Sequence, residues 1–211
     1  EMIYGRSGEV YLADWSDIGE CHENDGIHRT SGRIFKITYG DAVPSNPVDI
    51  SNASVDQLIK NLSDPNEWVV RKSRRRLQEL ISRESKSSSL RNSDSESDDL
   101  SSLKNHPWIQ KFQNAFELAG DTKTKLRIMW ASYSCFPDQE SWLLNRLSES
   151  NEHLRAWAVR LLTDGRISIS NPGLERILET AKEDESGLVR LYLAGSIPRF
   201  TPEFGHRLAA E

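Results

Sequence analysis

The sequence feature that most constrains the fold is a short pattern that recurs along the chain. A valine or leucine followed by arginine opens four apolar-rich segments, at Val70, Leu126, Leu154 and Val189. The last three of these positions lie 28 and 35 residues apart, and 56 residues separate the first two across a Ser-rich stretch. Periods of this size are typical of stacked helical hairpins. The pattern therefore predicts a mainly α-helical protein built from repeated units.

The segment that begins at Leu154 shows how such a unit buries itself. On a helix, five of its apolar residues share one stripe, which is wide enough to pack against a neighbouring helix. A unit of this kind has no means of covering its own apolar stripe, so it is expected to stack on adjacent units. The five residues are Leu154, Trp157, Ala158, Leu161 and Leu162.

Composition narrows the classes of function. The formal net charge is −5, which argues against nucleic-acid binding, because phosphate contacts require an excess of Lys and Arg. The sequence has no run of about 18 apolar residues that would span a bilayer. Cys21 and Cys135 lie far apart, so no disulfide framework is indicated.

The first forty residues differ from the rest. Residues 8–13 and 32–39 alternate apolar and polar side chains, which predicts two half-buried strands paired as a hairpin, and residues 1–4 also have strand character. Because an isolated hairpin is marginally stable, we expect residues 1–40 to be the last strands of a larger β module, and both chain ends to be cuts through a longer polypeptide. Residues 41–53 are predicted to be a linker.

Helical signals begin at residue 54. Ser54 and Gln57 form a capping-box pattern, and Asp64-Pro65 predicts a second helix with proline at its first position, so that residues 54–81 make one helical hairpin. Residues 82–105 are rich in serine and charge and have little to bury, which predicts a disordered insertion.

Residues 106–211 are predicted to form further helical units. Each helix is expected to start at a capping residue or at a proline in its first turn. The predicted starts are Pro107, Asp121, Asp138, Asn151, Asn171-Pro172, Ser186 and Thr201-Pro202. The arginines that recur in the repeats, Arg127, Arg155 and Arg190, are expected to bridge adjacent units by pairing with acids.

Several stretches together resemble a known family. They are the "DWSDIGECHENDGIHRTSGRIFKITYG" loop and strand, the "DPNEWVVRKSRRRLQEL" hairpin, "LRAWAVRLLTDG" and "VRLYLAGSIPRF". The chain is similar over nearly all its length, except the Ser-rich insertion, to the membrane-bound dehydrogenase-like proteins of planctomycetes and verrucomicrobia. The sharpest part of the resemblance is in the loop, at Asp14, Trp15, Asp17, Cys21, His22, His28, Arg29, Ser31, Gly32, Arg33 and Ile34.

The resemblance implies an architecture. Proteins of this family join a β-propeller, similar to sugar and sorbosone dehydrogenases, to HEAT repeats and a c-type cytochrome module. The implied fold is therefore a HEAT-like α-helical solenoid preceded by a β-hairpin from the last blade of a truncated propeller. The implied location is the periplasm or the cell surface. The C-x-x-C-H haem attachment motif is absent, because Ile18 stands three positions before Cys21.

The loop from Asp14 to Arg33 carries the candidate site. Its carboxylates, imidazoles and cations are side chains that could bind a metal or an anionic cofactor. The cofactor candidates are His22, His28, Arg29 and Arg33, and the metal candidates are Asp14, Asp17, His22 and Asp25. The alternative is a structural role, in which the aspartates cap turns and the histidines hydrogen-bond within the loop.

Two functions remain open at this stage. In the first, the chain is part of a propeller, HEAT and cytochrome c oxidoreductase that acts on sugars or alcohols. The parent protein would then use haem c, with PQQ or Ca²⁺ as further candidates, and the helical repeats would serve as a structural spacer between domains of the same chain. In the second, the helices form a scaffold that offers a concave face to a protein partner and has no catalytic activity.

Overall fold

The computed structural model describes residues 1–5, 9–14, 32–38, 40, 48–89, 103, 105–165 and 168–211. In these residues the protein is mainly helical, with one small antiparallel sheet. The chain divides into two compact units, Glu1–Arg76 and Leu77–Glu211, and the division falls within a helix. The predicted mainly α fold with an N-terminal β element is therefore confirmed at this level.

The sheet has three strands: β1 (Met2–Tyr4), β2 (Val10–Ala13) and β3 (Ile34–Ile37). Strand β2 lies in the middle and pairs antiparallel with both neighbours, so the predicted pairing of the second and third strands is confirmed. The register places Leu12 opposite both Met2 and Phe35. Because directly paired residues point to the same face of a sheet, these three side chains form an apolar row on one face.

The first helix begins as predicted and then differs in detail. Ser54 caps α1 (Val55–Lys60) by accepting a hydrogen bond from the Gln57 backbone N–H. The Gln57 side chain does not complete a capping box, because its amide donates to Asn61 at 2.8 Å. A 3₁₀ turn follows at Asn61–Ser63. The Asn61 side chain then donates to buried Ser73 in the next helix, which ties the two helices together.

Helix α2 (Glu67–Ser89) corrects two predictions. Its first turn is capped by Asn66, whose side chain accepts from the Trp68 N–H, so the helix starts after Pro65 rather than at it. It also continues to Ser89, well into the stretch predicted to be disordered. Adding residues to an existing helix is easier than starting a new one, which explains why residues with little to bury remain helical. Residues 90–102 lie outside the described residues.

The second unit contains the remaining helices. Asp121, Asn151, Ser186 and Thr201 cap helices as predicted, each with its side chain accepting a backbone N–H. One predicted start is wrong by one residue, because Gln139 rather than Asp138 is the residue before α5. The helix predicted to start at Asn171-Pro172 does begin at Asn171, with Ser170 as its cap. The helices are α3 (Pro107–Leu118), α4 (Thr122–Cys135), α5 (Glu140–Arg146), α6 (Glu152–Leu162), α7 (Asn171–Glu183), α8 (Gly187–Ser196) and α9 (Pro202–Ala210).

These helices contact one another in an alternating order. Helix α3 packs on α4, and α5 packs on α6, so in these two cases neighbours in sequence form a pair. In addition, α6 packs on α4 and on α8, while α7 packs on α5 and on α9. The helices therefore form two rows, an odd-numbered row of α3, α5, α7 and α9 and an even-numbered row of α4, α6 and α8. The helices of the odd-numbered row begin at residues 107, 140, 171 and 202, at nearly constant intervals.

The burial of α6 is wider than the sequence predicts. The stripe residues Leu154, Ala158, Leu161 and Leu162 are buried, as expected, but Ala156 and Val159 on other faces are buried as well. The reason is that α6 has neighbours on three sides, namely α4, α5 and α8.

The described tryptophans lie at the edge of the core. Phenylalanines occupy its centre, with Phe112 and Phe116 fully buried. Tryptophan is large enough that it is seldom covered completely. The half-buried tryptophans are Trp68, Trp108, Trp130, Trp142 and Trp157.

Candidate functional site

The structure describes the two ends of the loop that carries the predicted ligand site. The Asp14 backbone N–H donates to the Arg33 carbonyl oxygen at 2.8 Å, immediately beyond the last paired residues of β2 and β3. The Ala13 N–H donates to the Glu1 carbonyl oxygen on the other side of the same strand. The sheet therefore holds the start and the end of the loop next to each other.

The remaining candidate ligands, Asp17, His22, Asp25, His28 and Arg29, lie outside the described residues. The cofactor and metal assignments thus stay predictions. At the loop ends the described side chains offer one carboxylate, Asp14, and one guanidinium, Arg33. Within the described residues no group of three or more His, Cys, Asp and Glu side chains is arranged to hold a metal ion.

Cys135 is the cysteine that the structure describes, and it is not suited to nucleophilic chemistry. The side chain is buried at the end of α4, and burial raises the pKa of its thiol to about 12. A thiol with such a pKa stays protonated at neutral pH, and the thiolate is the nucleophilic form. Its role is therefore packing.

A bidentate ion pair links consecutive helical pairs. The Arg155 guanidinium on α6 donates to both carboxylate oxygens of Asp184, at 2.7 and 2.9 Å, in the turn that precedes α8. It also donates to the backbone oxygens of Glu149 and Ser150 in the turn that precedes its own helix. The hydrogen bond from Arg155, assisted by the Ser186 N–H, lowers the pKa of Asp184. The prediction that this arginine bridges adjacent units is confirmed.

The arginine at the equivalent position in α8 forms one of these hydrogen bonds, the one to the backbone of the turn before its own helix. Arg190 Nε donates to the backbone oxygen of Asp184, six residues earlier, just as Arg155 reaches Glu149 six residues earlier. The same spacing separates Asp121 from Arg127 at the start of α4. An acidic residue thus lies six positions before each of Arg127, Arg155 and Arg190, and the structure shows a hydrogen bond to the backbone oxygen at this interval for Arg155 and Arg190.

A second type of contact, a hydrogen bond between a glutamate and a capping serine, joins the first turns of successive helices in the same row. Glu140, the first residue of α5, accepts hydrogen bonds from the Ser170 N–H and hydroxyl, both at 2.8 Å, where Ser170 caps α7. Glu152, the first residue of α6, accepts from the hydroxyl of Ser186, which caps α8. A carboxylate at a helix N-terminus is also favoured by the helix dipole. Each glutamate thus stabilises the start of its own helix and of the next helix in the row.

Further side-chain bonds follow the odd-numbered row. They connect successive helices through arginines, with distances of 2.8 to 2.9 Å. The pairs are Glu117 with Arg146, Ser148 with Arg176, and Glu175 with Arg207.

Two bonds extend the even-numbered row beyond its ion pair. The Tyr133 hydroxyl donates to Asp164, and Arg199 donates to the Thr163 carbonyl oxygen. Taken together, the inter-helix bonds described here join residues 28 to 36 positions apart.

Three aromatic residues, one each from α4, α6 and α8, form a continuous row. The rings of Trp130 and Trp157 meet edge to face at 4.8 Å, and Trp157 lies 6.3 Å from Tyr192. All three side chains are half-buried, so this row forms part of the surface of α4, α6 and α8.

Comparison of the chain with protein-family models, with curated proteins and with solved structures found no match. The geometry of the described residues therefore carries the functional argument. Among the described helices, none combines the length and apolar character needed to cross a bilayer. What the helices do present is a regular set of inter-helix bonds, the partly exposed aromatic row, and an exposed leucine on α8, Leu191.

Proposed function

We propose that residues 107–211 form a HEAT-like solenoid that acts as a structural spacer between other parts of a multidomain protein. The observation that carries this proposal is the interval of 28 to 36 residues shared by the hydrogen bonds that join successive helices of the same row. A spacing that recurs in both rows is expected when each pair of helices repeats the contacts of the pair before it. In a closed bundle the bonded positions would have no common spacing.

The chemistry of the contacts supports a mechanical role. Arginines, glutamates and capping serines connect successive helices at their ends, while apolar side chains fill the space between the rows. Bidentate and charge-assisted bonds fix orientation as well as distance. The resulting array is expected to hold whatever is attached to its two ends at a defined separation.

The wider context rests on the family resemblance. Under this proposal the three-stranded sheet is the end of a β-propeller, and the helices separate the propeller from a cytochrome c module in a periplasmic or cell-surface sugar or alcohol oxidoreductase. Oxidation and electron transfer, with haem c, PQQ or Ca²⁺ as the expected cofactors, would then belong largely to the attached modules. The resemblance supports this assignment through the residues of the Asp14–Arg33 loop.

Two measurements on the 211-residue protein test the spacer role. Spin labels at exposed Gln110 and Glu203, introduced as cysteines with Cys21 replaced by serine, report the distance between α3 and α9. We expect one narrow distance distribution, and a broad one would contradict a rigid spacer. In a dye-linked assay with sugars and alcohols we expect no oxidation, whereas substrate-dependent dye reduction would show that this segment is itself catalytic.

The alternative function is an interaction scaffold without redox chemistry. The exposed apolar side of α8 favours it, because monomeric surfaces seldom leave contiguous apolar residues uncovered. A haem attachment motif and propeller strands in the flanking coding sequence would support the oxidoreductase, and their absence would support the scaffold.

A further inference from the structure

Helices α4, α6 and α8, the even-numbered row of the second unit, can be compared position by position, because each carries the repeated Leu/Val-Arg pair. Counting from Leu126, Leu154 and Val189 aligns α4, α6 and α8 without gaps. At three aligned positions α4 and α6 are almost completely buried, with exposed fractions of 0 to 4%. Those residues are Ile128, Ala131 and Cys135 in α4, and Ala156, Val159 and Thr163 in α6.

The same three positions are exposed in α8. Leu191 is 65% exposed, and Ala194 and Pro198 are exposed as well. Helices α4 and α6 are each followed in their row by another helix, α6 and α8 respectively. The comparison therefore attributes the burial of these positions to the following helix of the row. Pro198 lies in the 3₁₀ turn Ile197–Arg199, directly after α8. We call Leu191, Ala194 and Pro198 the outer face of α8.

The solvent exposure of the repeated arginines also increases from α4 to α8. Arg127 in α4 is buried, Arg155 in α6 is half-buried and bound to a carboxylate in front of α8, and Arg190 in α8 is exposed. Arg190 already binds the backbone of its own turn through Nε, as Arg155 does through another nitrogen. A carboxylate from a following helix would complete the equivalent arrangement around Arg190.

The position of α9 indicates how such a helix would be connected to the rest of the chain. Helix α9 begins 31 residues after α7 and packs on it, so it occupies the next place in the odd-numbered row. Helices α5 and α7 are each followed in sequence by a helix of the even-numbered row. We infer that the outer face of α8 is a packing site for one more helix of this type, joined to α9 as α8 is joined to α7, with a carboxylate in front of its first turn that binds Arg190.

This inference rests on the stacking part of the proposed function and not on the oxidoreductase. Its test is to supply the helix. Extending the protein after Glu211 with a copy of residues 181–199 puts the copied Asp184 and α8 at the same distance from the start of α9 as the originals have from the start of α7. The matched control carries Val189→Asp and Leu193→Asp in the copied segment only, which removes its apolar inner side.

The readout is the reactivity of a single thiol on the outer face. Ala194→Cys in the original α8, in a Cys21→Ser background, provides the thiol, while Cys135 remains buried. We expect the native copy to slow thiol labelling at least about tenfold, because a covered cysteine reacts only when the helix opens. The control copy should leave the rate unchanged. Equal rates with both copies, or a native copy that adds no helix by circular dichroism, would overturn the inference.

Three further substitutions test the contacts of the added helix. Leu191→Glu in the original α8 should restore fast labelling of the introduced thiol at position 194 in the extended protein, while the 211-residue protein keeps its stability. Arg190→Ala in the original α8 and Asp184→Ala in the copy should each speed labelling, and together they should have no greater effect than either one. Additive effects would show that the two residues do not pair. If the 211-residue array is rigid but the added helix gives no protection, the inference fails and the spacer proposal stands.

Discussion

The sheet and the helical rows differ in how far their apolar side chains are buried. In the sheet, Met2, Phe35 and Ile37 are 70, 47 and 52% exposed, although they lie on strands with good pairing. In the second unit, Phe112, Phe116 and Leu162 are fully buried. The apolar side chains of the helices are buried by neighbouring helices about 30 residues away in the same chain, as in repeat architectures. Among the described residues, no element buries the apolar side chains of the three short strands in this way.

This difference indicates where the stability of the protein resides. Burial of a large apolar side chain contributes about 1.5 to 3 kcal/mol, and an exposed one contributes much less. Backbone pairing alone leaves a small sheet marginal. The helical rows are therefore expected to set the free energy of unfolding, while the sheet depends on whatever covers its apolar face.

The largest expected effect separates the two regions directly. Leu162→Ala removes a fully buried side chain from α6 and should lower the free energy of unfolding by about 3 kcal/mol. Ile37→Ala in β3, which removes a similar volume from a half-exposed site, should cost less than about 1 kcal/mol. Urea unfolding followed by circular dichroism measures both. Equal losses would contradict the difference in burial.

The ion pair between successive helical pairs should give the next largest effect. Arg155→Ala leaves the largely buried carboxylate of Asp184 without its bidentate partner and should cost about 2 to 3 kcal/mol. The control is Arg160→Ala on the same helix, an exposed arginine whose removal should change stability by less than about 0.5 kcal/mol. A double-mutant cycle with Asp184→Ala isolates the pair, and purely additive losses would mean that the two residues are not coupled.

A glycine in the first turn of α7 gives a smaller and more specific test. A Cβ at Gly173 would collide with the Glu140 carboxylate that binds Ser170. Gly173→Ala should therefore destabilise the wild type by about 1 kcal/mol, although alanine favours a helix by a similar amount. In a Glu140→Ala background the loss should be smaller, and the cost that remains comes from Ile169 Cγ2, which lies 2.8 Å from the same Cβ position. A loss of the same size in both backgrounds would show that Glu140 is not the obstacle.

Acid titration should give the smallest difference. The Arg155 guanidinium lowers the pKa of Asp184 below its ordinary value, so the pair stabilises the folded state above about pH 4 and loses that contribution as the pH falls through the lower folded pKa. Asp184→Asn removes this dependence. The stability gap between wild type and Asp184→Asn should therefore narrow below about pH 4 in urea unfolding. A gap that widens on acidification would have the wrong sign.

Local signals in the sequence predicted much of the fold. Capping side chains act within a few residues, so Asp121, Asn151, Ser186 and Thr201 could be read directly. The error at Asp138 has a tertiary cause: Gln139 is buried, and its amide binds Ser132 and the Phe136 carbonyl oxygen, which shifts the start of α5 by one residue. A neighbouring helix decides such a case, and a local pattern does not contain it.

Contacts between units were harder to predict. The sequence indicated that Arg155 would meet an acid but did not identify Asp184, because the choice among nearby acids depends on how α6 and α8 lie against each other. The bonds from Glu140 to Ser170 and from Glu152 to Ser186 were missed for the same reason. For the predicted ligand loop, the structure describes only Asp14, Gly32 and Arg33, so the ligand assignments stay predictions.

The central claim is that the helices form an open row of repeating pairs, and stepwise shortening tests it most directly. Urea unfolding can be compared for the 211-residue protein and for chains ending at Phe200 and Gly165, which lack α9 and α7–α9 respectively. The account predicts that both shortened chains keep the remaining helices and unfold cooperatively, with stability and denaturant dependence falling in steps as pairs are removed. Loss of all helical structure after the first or second cut would show a closed bundle and contradict the account.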